Sequence, residues 1–296
     1  VWLALEYMQY TGSFKARGAT NFIQAHRDAG TLPKAGVTIA SGGNAGLACA
    51  WAAQQHGVQA TVFLPANAPQ VKVAKLRSYG ADVHLVGSEY AEALAVCQAF
   101  AASTGALTSH AYDHPLIAAG AGTLMEEIRQ QIPGLDTVVV AVGGGGLFAG
   151  VATAAQHHGI RTIAVEPEHC RALNAALEAG RLVDVSVESI AADSLGARRT
   201  SEMALHAAQQ DRTHSVLVPD AEIIRVRQLL WDHRRIAVEH GAATALAALT
   251  SPDQHTPDSS PADRSARSGR SYRPGNGEKV CVVLCGANTD PSDLVH

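Results

Sequence analysis

Short apolar runs rich in β-branched residues alternate with longer segments of helical periodicity along most of the 296-residue chain. The clearest candidate strands are residues 37–40, 61–64, 83–86, 138–142 and 162–165. Predicted helices follow them, over residues 45–56, 70–79, 89–102, 147–157 and 170–179. Strands that are connected through helices pair in parallel, so we predict an α/β fold whose parallel-rich, twisted sheets are covered on both faces.

The composition limits the class of protein. Hydrophobic residues make up 47% of the chain, and 23 Lys and Arg against 27 Asp and Glu give a net charge of −4. No basic face is evident, so we expect no nucleic-acid partner. The uncharged stretch 137–160 is long enough to cross a membrane. Four glycines in its middle favour a strand, a loop and a helix instead, so we expect no membrane partner.

Five cysteines are scattered along the chain without a paired motif: Cys49, Cys97, Cys170, Cys281 and Cys285. Their odd number and the lack of a signal peptide at the start favour a reducing, cytoplasmic setting. Residues 250–278 differ from the rest, because prolines, serines and alternating Asp and Arg leave few apolar side chains. This composition predicts a flexible, solvated surface loop.

A run of four glycines (Gly143, Gly144, Gly145 and Gly146) lies between a predicted strand and the helix that starts at Leu147. Backbone amides at such a turn converge on an anion at a helix N-terminus, which predicts a phosphate site. Glu166 follows about 20 residues later, where a dinucleotide-binding protein carries an acidic residue for the ribose. The glycines alone therefore leave a dinucleotide open as the ligand.

Two further motifs add chemistry. Residues 11–19 read TGSFKARGA and put Lys15 at the start of an apolar helix, where a desolvated amine can act as a nucleophile. Residues 41–46 read SGGNAG. Together with the glycine run, these motifs closely resemble the fold type II pyridoxal-phosphate enzymes, and within them the serine/threonine dehydratase family. Shorter matches at 112–115, 122–123, 165–167 and 284–288 extend the resemblance over nearly the whole chain.

The resemblance implies a tryptophan synthase β-like fold of two domains. The large, cofactor-binding domain would comprise residues 1–35 and 114–296, including the 250–278 loop, and the small, substrate-loop domain would comprise residues 36–113. By the same resemblance, Lys15 binds pyridoxal 5'-phosphate as a Schiff base and later acts as the catalytic base. Gly143, Gly144, Gly145 and Gly146, with Leu147, would hold the phosphate.

The remaining roles also follow from the resemblance. Phe14 and Ser194 would lie against the two faces of the cofactor ring, and Asn44 would bond its hydroxyl group. Cys285 would lie opposite the pyridine nitrogen, and a neutral thiol there makes the ring a weaker electron acceptor than a carboxylate would. The substrate carboxylate would be bound by Ser41, Gly42, Gly43, Asn44 and Ala45.

The family also binds a monovalent or divalent cation. Glu166 matches the carboxylate ligand, and the carbonyl groups of Cys170, Leu195 and Ala197 match the others by position. Ala172 departs from the pattern, because it offers no oxygen where the family has a side-chain ligand. An alternative for Glu166 is that it caps the helix that starts near His169.

The activity that the resemblance implies is elimination of water from L-serine or L-threonine by a homodimeric ammonia-lyase, giving pyruvate or 2-oxobutyrate and ammonia. Serine racemase or another fold type II enzyme is the nearest alternative. Serine racemases place a second serine where this chain has Gly42, which favours the dehydratase. A non-catalytic binder of a phosphorylated ligand is the alternative from a different class.

Overall fold

The computed structural model describes residues 1–250, 268–269 and 271–295. The chain forms two compact units, one of Val1–Tyr7 with Gly122–His296 and the other of Met8–Ala121. Each contains one sheet, so we call them the six-stranded unit and the four-stranded unit. All strand pairs in both sheets are parallel. The predicted α/β fold with parallel sheets is thereby confirmed.

The strands of the described residues are, in chain order, β1 (Trp2–Ala4), β2 (Val37–Ile39), β3 (Ala60–Leu64), β4 (Asp82–Leu85), β5 (Leu107–Thr108), β6 (Thr137–Ala141), β7 (Arg161–Pro167), β8 (Thr213–Val218), β9 (Ser268–Gly269) and β10 (Val280–Val283). The helices are α1 (Lys15–Asp28), α2 (Asn44–Gln55), α3 (Gln70–Ser78), α4 (Tyr90–Thr104), α5 (Pro115–Gln131), α6 (Gly146–His157), α7 (Ala172–Ala179), α8 (Ala192–Leu195), α9 (Glu202–Ala208), α10 (Asp220–Arg234) and α11 (His240–Thr250).

The six-stranded sheet has the order β1-β10-β6-β7-β8-β9. Strands β6 and β10 lie inside the sheet and are buried along their whole length, which explains why most of their residues are valine. Cys281 of β10 pairs with Val138 of β6, and Val138 pairs in turn with Thr162 of β7. This register brings the carboxyl ends of the three strands to the same edge of the sheet.

The four-stranded sheet has the order β4-β3-β2-β5. Strands β2 and β3 are completely buried. The buried Thr38 hydroxyl has a hydrogen-bond partner there, because it donates to the Thr61 carbonyl at 3.0 Å. Helix α2 is rich in alanine and buries most of its length in the core of this unit. Phe22 and Ile23 of α1 pack into the same core.

Each strand and helix that the alternation predicts is present, with ends displaced by at most two residues. The helix predicted over 170–179 begins at Ala172, because the chain first makes a turn in which the Cys170 amide donates to the Pro167 carbonyl. The uncharged stretch 137–160 consists of β6 and α6. Within the described ranges, no helix has the length and apolar character needed to cross a bilayer.

The division into domains 1–35 with 114–296 and 36–113 stays a prediction. Most of the predicted loop 250–278 lies outside the described residues, which omit 251–267 and 270. Its last part packs against the six-stranded sheet. Arg161 of β7 donates to the Tyr272 hydroxyl at 2.8 Å and to Glu278 at 3.0 Å.

Candidate functional site

The glycine loop 143–146 connects β6 to α6 and is closely packed. Gly145 has a φ of 94°, a left-handed conformation that favours glycine. A Cβ atom at Gly145 would lie 2.4 Å from Ala204 Cβ, and one at Gly143 would lie 2.9 Å from Leu195 Cα. A side chain at either position therefore collides with its neighbours, and at Gly145 the backbone angle favours glycine as well.

The loop leads directly into the N-terminus of α6, a helix of 12 residues. No side chain of the described residues caps this terminus, and the helix dipole adds partial positive charge to its amides. Thr200, only 2% exposed, lies beside the loop, and its hydroxyl has no hydrogen-bond partner among the described residues. Amides, dipole and buried hydroxyl together fit the phosphate group of a cofactor.

Two more predicted residues lie in the six-stranded unit. Cys285 is 6% exposed and follows β10, as Gly143 follows the adjacent parallel strand β6, so both come after the carboxyl ends of neighbouring strands. Ser194 has a buried hydroxyl without a hydrogen-bond partner in the described part of the chain. Gly241 of α11 makes room for it, because a Cβ there would lie 2.3 Å from Ser194 Oγ.

Lys15 begins α1 in the four-stranded unit. Thr11 and Gly12, with φ of 66° and 76°, turn the chain sharply just before this helix. The half-buried Lys15 amine donates to the Ala111 carbonyl at 2.9 Å and lies 4.8 Å from the centre of the Phe14 ring. A lysine held in this way has its amine in a defined position rather than in bulk solvent, unlike an ordinary surface lysine.

The carbonyl that binds Lys15 belongs to a turn organised by His110. The Nδ1 atom of this ring accepts from the amides of Tyr112 and Asp113, at 3.2 and 2.8 Å. Nδ1 must be unprotonated to accept, so the proton of the neutral ring is on Nε2. Partial burial lowers the pKa of His110; the charge of Asp113 opposes this shift and that of Lys15 adds to it.

The predicted substrate loop connects β2 to α2. Gly43 precedes the helix and Asn44 is its first residue. The two ends of this turn are close, because a Cβ at Gly46 would lie 1.8 Å from the Ser41 carbonyl oxygen. Gly43 has open space around it, and a Cβ at Gly42 would meet only the end of the Leu64 side chain. The loop therefore presents its backbone without being tightly enclosed.

The cation ligands expected from the sequence have other contacts. Glu166 is completely buried and accepts from the amides of Leu173 and Asn174, both at 2.8 Å, so it caps α7. Burial raises its pKa to about 8, while the two amides lower it. The Leu195 carbonyl accepts from the Ala197 amide at 2.9 Å. Among the described residues, no group of three His, Cys, Asp or Glu could hold a metal. A cation at Glu166, Cys170, Leu195 and Ala197 stays a prediction.

The structure groups the predicted site residues by unit. The glycine loop, Leu147, Ser194 and Cys285 lie in the six-stranded unit, whereas Phe14, Lys15 and Ser41–Ala45 lie in the four-stranded unit. Thr200 was not predicted, since it belongs to no motif and becomes notable only through its contact with Gly145. His110 was also missed, although it lies two residues before the motif at 112–115.

A parallel α/β fold, a glycine loop that fits a phosphate group and a lysine held at the start of a helix are typical features of proteins that carry a phosphorylated cofactor able to react with an amine. The chain belongs to the pyridoxal-phosphate dependent enzyme family, whose model matches residues 1–265. Its fold is that of the fold type II members, and pyridoxal 5'-phosphate is the cofactor of the family.

Curated relatives and a solved structure agree with this family. The chain is 36% identical over 252 residues to the L-threonine ammonia-lyase of Geobacter sulfurreducens, covering 84% of this chain and 62% of that protein. It is 37% identical over 257 residues to the serine dehydratase-like protein of Rattus norvegicus, covering 85% and 77%. Maize serine racemase superposes with a TM-score of 0.84 at 29% identity, over 99% of this chain and 84% of that one.

Proposed function

We propose that this protein is a pyridoxal-phosphate-dependent ammonia-lyase that removes water from L-serine or L-threonine. The unsaturated amine left by the loss of water then reacts with water, which gives pyruvate or 2-oxobutyrate and ammonia. The observation that carries the proposal is the Lys15 amine, held at 2.9 Å by the Ala111 carbonyl beside the Phe14 ring. Relatives named for this chemistry, at 36% and 37% identity, support it.

Three groups of site residues have separate roles in the proposed reaction. The amides of Gly143–Gly146 and Leu147 bind the cofactor phosphate, and Lys15 binds the cofactor covalently through Nζ. When bound, pyridoxal phosphate supplies a ring that accepts electrons from the substrate α-carbon. Lys15 Nζ would also be the base that takes the proton from that carbon. Ser41–Ala45 bind the substrate carboxylate with a hydroxyl and backbone amides.

Cys285 favours elimination over competing outcomes. We assign its thiol to the ring nitrogen of the cofactor, in keeping with its buried position at the end of β10. A thiol cannot hold that nitrogen protonated as a carboxylate would, so negative charge at the substrate is less stabilised. Loss of the β-hydroxyl group, protonated so that it leaves as water, would then compete better with return of a proton to the α-carbon.

Replacing Lys15 by Ala tests the proposal, because it removes both the covalent attachment and the base. We expect 2-oxo acid production to fall by at least about 10³-fold. Lys34→Ala is the matched control, since Lys34 is an exposed lysine of the same unit. Mass spectrometry after borohydride reduction should find the cofactor on the peptide that contains Lys15. Near-normal turnover by Lys15→Ala would exclude this mechanism, and an unmodified protein without bound cofactor would indicate a non-catalytic binder.

Serine racemase is the second candidate, since maize serine racemase superposes on this chain. Inversion needs an acid on the ring face opposite Lys15, and Gly42, which has no side chain, occupies the position at which serine racemases carry a second serine. We therefore expect dehydration with negligible D-serine. Chiral analysis of the serine that remains during turnover distinguishes the two, and substantial D-serine would favour the racemase.

The assembly and location of the protein are proposals that rest on the family resemblance. We propose a homodimer that acts in the cytoplasm on small amino acids, without a nucleic-acid or membrane partner. The five cysteines, all buried and none in a disulfide bond, are compatible with a reducing compartment. Light scattering during size-exclusion chromatography would measure the mass of the assembly, and a mass near 31 kDa would contradict the dimer.

A further inference from the structure

A short segment, Thr200–Ala204, is attached directly to the glycine loop. The Ser201 amide donates to the Gly144 carbonyl at 3.1 Å. A Cβ at Gly145 would lie 2.4 Å from Ala204 Cβ and 2.8 Å from Thr200 Oγ1. The Thr200 hydroxyl therefore contacts the turn at which α6 begins.

The two neighbouring hydroxyl groups in this segment differ in their bonding. Ser201 Oγ accepts from the Ala204 amide at 3.2 Å and so caps α9. Thr200 Oγ1 has no partner among the described residues, although Thr200 is only 2% exposed. A buried hydroxyl without a partner costs free energy, and buried polar groups are rarely left in that condition. Its position beside an anion cradle suggests that an anion satisfies it.

We propose that Thr200 Oγ1 donates a hydrogen bond to the phosphate group of the bound cofactor. The inference rests on the proposed function, which assigns that phosphate to the Gly143–Gly146 amides. A phosphate monoester has three strong acceptor oxygens, whereas a threonine hydroxyl supplies one donor. Hydrogen bonds to a charged acceptor are stronger than those between neutral groups, so this one bond contributes measurably to cofactor affinity.

Thr162 supplies a matched control within the same unit. It is also a buried threonine, 1% exposed, and its Oγ1 likewise has no partner in the described part of the chain. It lies in β7, paired with Val138 near the start of β6, whereas the glycine loop follows the other end of β6. Both threonines are thus buried and have a hydroxyl group without a partner among the described residues. They differ in position, because only Thr200 lies beside the glycine loop 143–146.

The experiment compares Thr200→Val with Thr162→Val in the full-length chain. The dissociation constant for pyridoxal 5'-phosphate is measured by titrating cofactor-free protein and following cofactor absorbance. We expect Thr200→Val to raise this constant by about 10- to 100-fold, the range for a lost hydrogen bond to a charged group. Thr162→Val should change it by less than about twofold, and Thr200→Ser should restore most of the affinity because it keeps the donor.

A second readout separates a ligand role from a structural one. Without cofactor, Thr200→Val should melt at the same temperature as the unmodified protein or higher, because valine replaces an unsatisfied hydroxyl with a methyl group. A lower melting temperature in both forms, with equal affinity, would overturn the inference. Equal affinity of Thr200→Val and the unmodified chain would overturn it and leave the proposed function intact. An unmodified chain that binds no cofactor would overturn both.

Discussion

The chain contains two glycine-rich turns of the same type, each leading from a buried parallel strand into the N-terminus of a helix. The turn after β6 is packed against Leu195, Thr200 and Ala204, and contains a glycine with a left-handed backbone. The turn after β2 has open space around Gly43 and only the end of the Leu64 side chain beside Gly42. Residues of the same unit therefore enclose the turn after β6, whereas the turn after β2 is more open.

This difference matches the tasks that we propose for the two turns. A cofactor phosphate is the same in every turnover, so a cradle for it gains from a backbone that has only one possible conformation. An amino-acid substrate must enter and leave, so the turn that binds its carboxylate needs room to adjust. Helix N-termini attract anions in both cases, and packing around the turn makes them different.

Adding a methyl group at each turn gives the largest expected contrast. Gly145→Ala places a β-carbon against Ala204 at a φ of 94°, so we expect the free energy of unfolding to fall by about 1–3 kcal/mol. Cofactor affinity should fall with it. Gly43→Ala introduces no contact within 4 Å and has a negative φ of −94°, with a ψ of −155° just beyond the usual β region, so stability should change by less than about 1 kcal/mol.

Chemical denaturation and cofactor titration measure both effects. If our assignment is right, Gly43→Ala changes the KM for serine while leaving cofactor affinity intact. Equal destabilisation by the two alanines would show that the turns are not differently constrained.

A smaller effect is expected at Gly42, where one flexible side chain limits the space. A Cβ there would lie 2.8 Å from Leu64 Cδ2, and Leu64 is 2% exposed. Gly42→Ser should therefore destabilise the protein by about 1–2 kcal/mol through overpacking. In a Leu64→Val background the same change should cost less, with a coupling of at least about 0.5 kcal/mol.

Denaturation of the four proteins in this double-mutant cycle gives the coupling. Chiral analysis of the double variant then asks whether a hydroxyl at position 42 introduces D-serine formation once its space is provided. Additive free energies would mean that Leu64 does not set the space beside this turn.

The smallest expected effect is a pH dependence of stability that arises at the His110 turn, outside the two glycine-rich turns. The Ala111 carbonyl that accepts from Lys15 lies in a turn whose His110 Nδ1 must stay unprotonated, and partial burial lowers the pKa of the His110 ring. The folded state therefore binds fewer protons than the unfolded state, so stability falls as pH drops below about 6.5. Because the ring is partly exposed, we expect less than about 1 kcal/mol.

His110→Asn should remove this part of the acid sensitivity while keeping an acceptor for the two amides. Melting temperatures between pH 5 and 8 measure it, and His56→Asn in the same unit is the control. If the melting temperatures of His110→Asn and the unmodified protein change with pH in the same way, the His110 ring does not contribute to the loss of stability at acid pH.

Local patterns predicted the individual elements well, because burial on both faces leaves strands such as β6 with little but valine. They did not predict the sheet order. Strand β10 inserts between β1 and β6, and no local feature of residues 280–283 indicates these partners, which are far away in the sequence. Pairing of distant strands depends on tertiary packing, which a single sequence does not reveal.

The site shows the same limit. Lys15 and the glycine loop lie in motifs, since their chemistry requires particular residue types in a particular order. Thr200 and Leu64 were not predicted, because each matters only through a contact with a glycine far away in the sequence. Glu166 could have either of two roles, since a carboxylate near the end of a strand suits a cation or a helix N-terminus equally, and here it caps α7.

The place of β10 between β1 and β6 has a consequence for how the protein is made. A ribosome completes Met8–Ala121 as one continuous stretch, so the four-stranded unit can begin to fold while synthesis continues. The six-stranded sheet has to wait for residues 280–283, without which β1 and β6 have no strand between them. Until then the apolar edge of β6 is exposed to other chains. Truncated translation products should therefore aggregate through this edge, and chaperones should engage the chain chiefly during this interval.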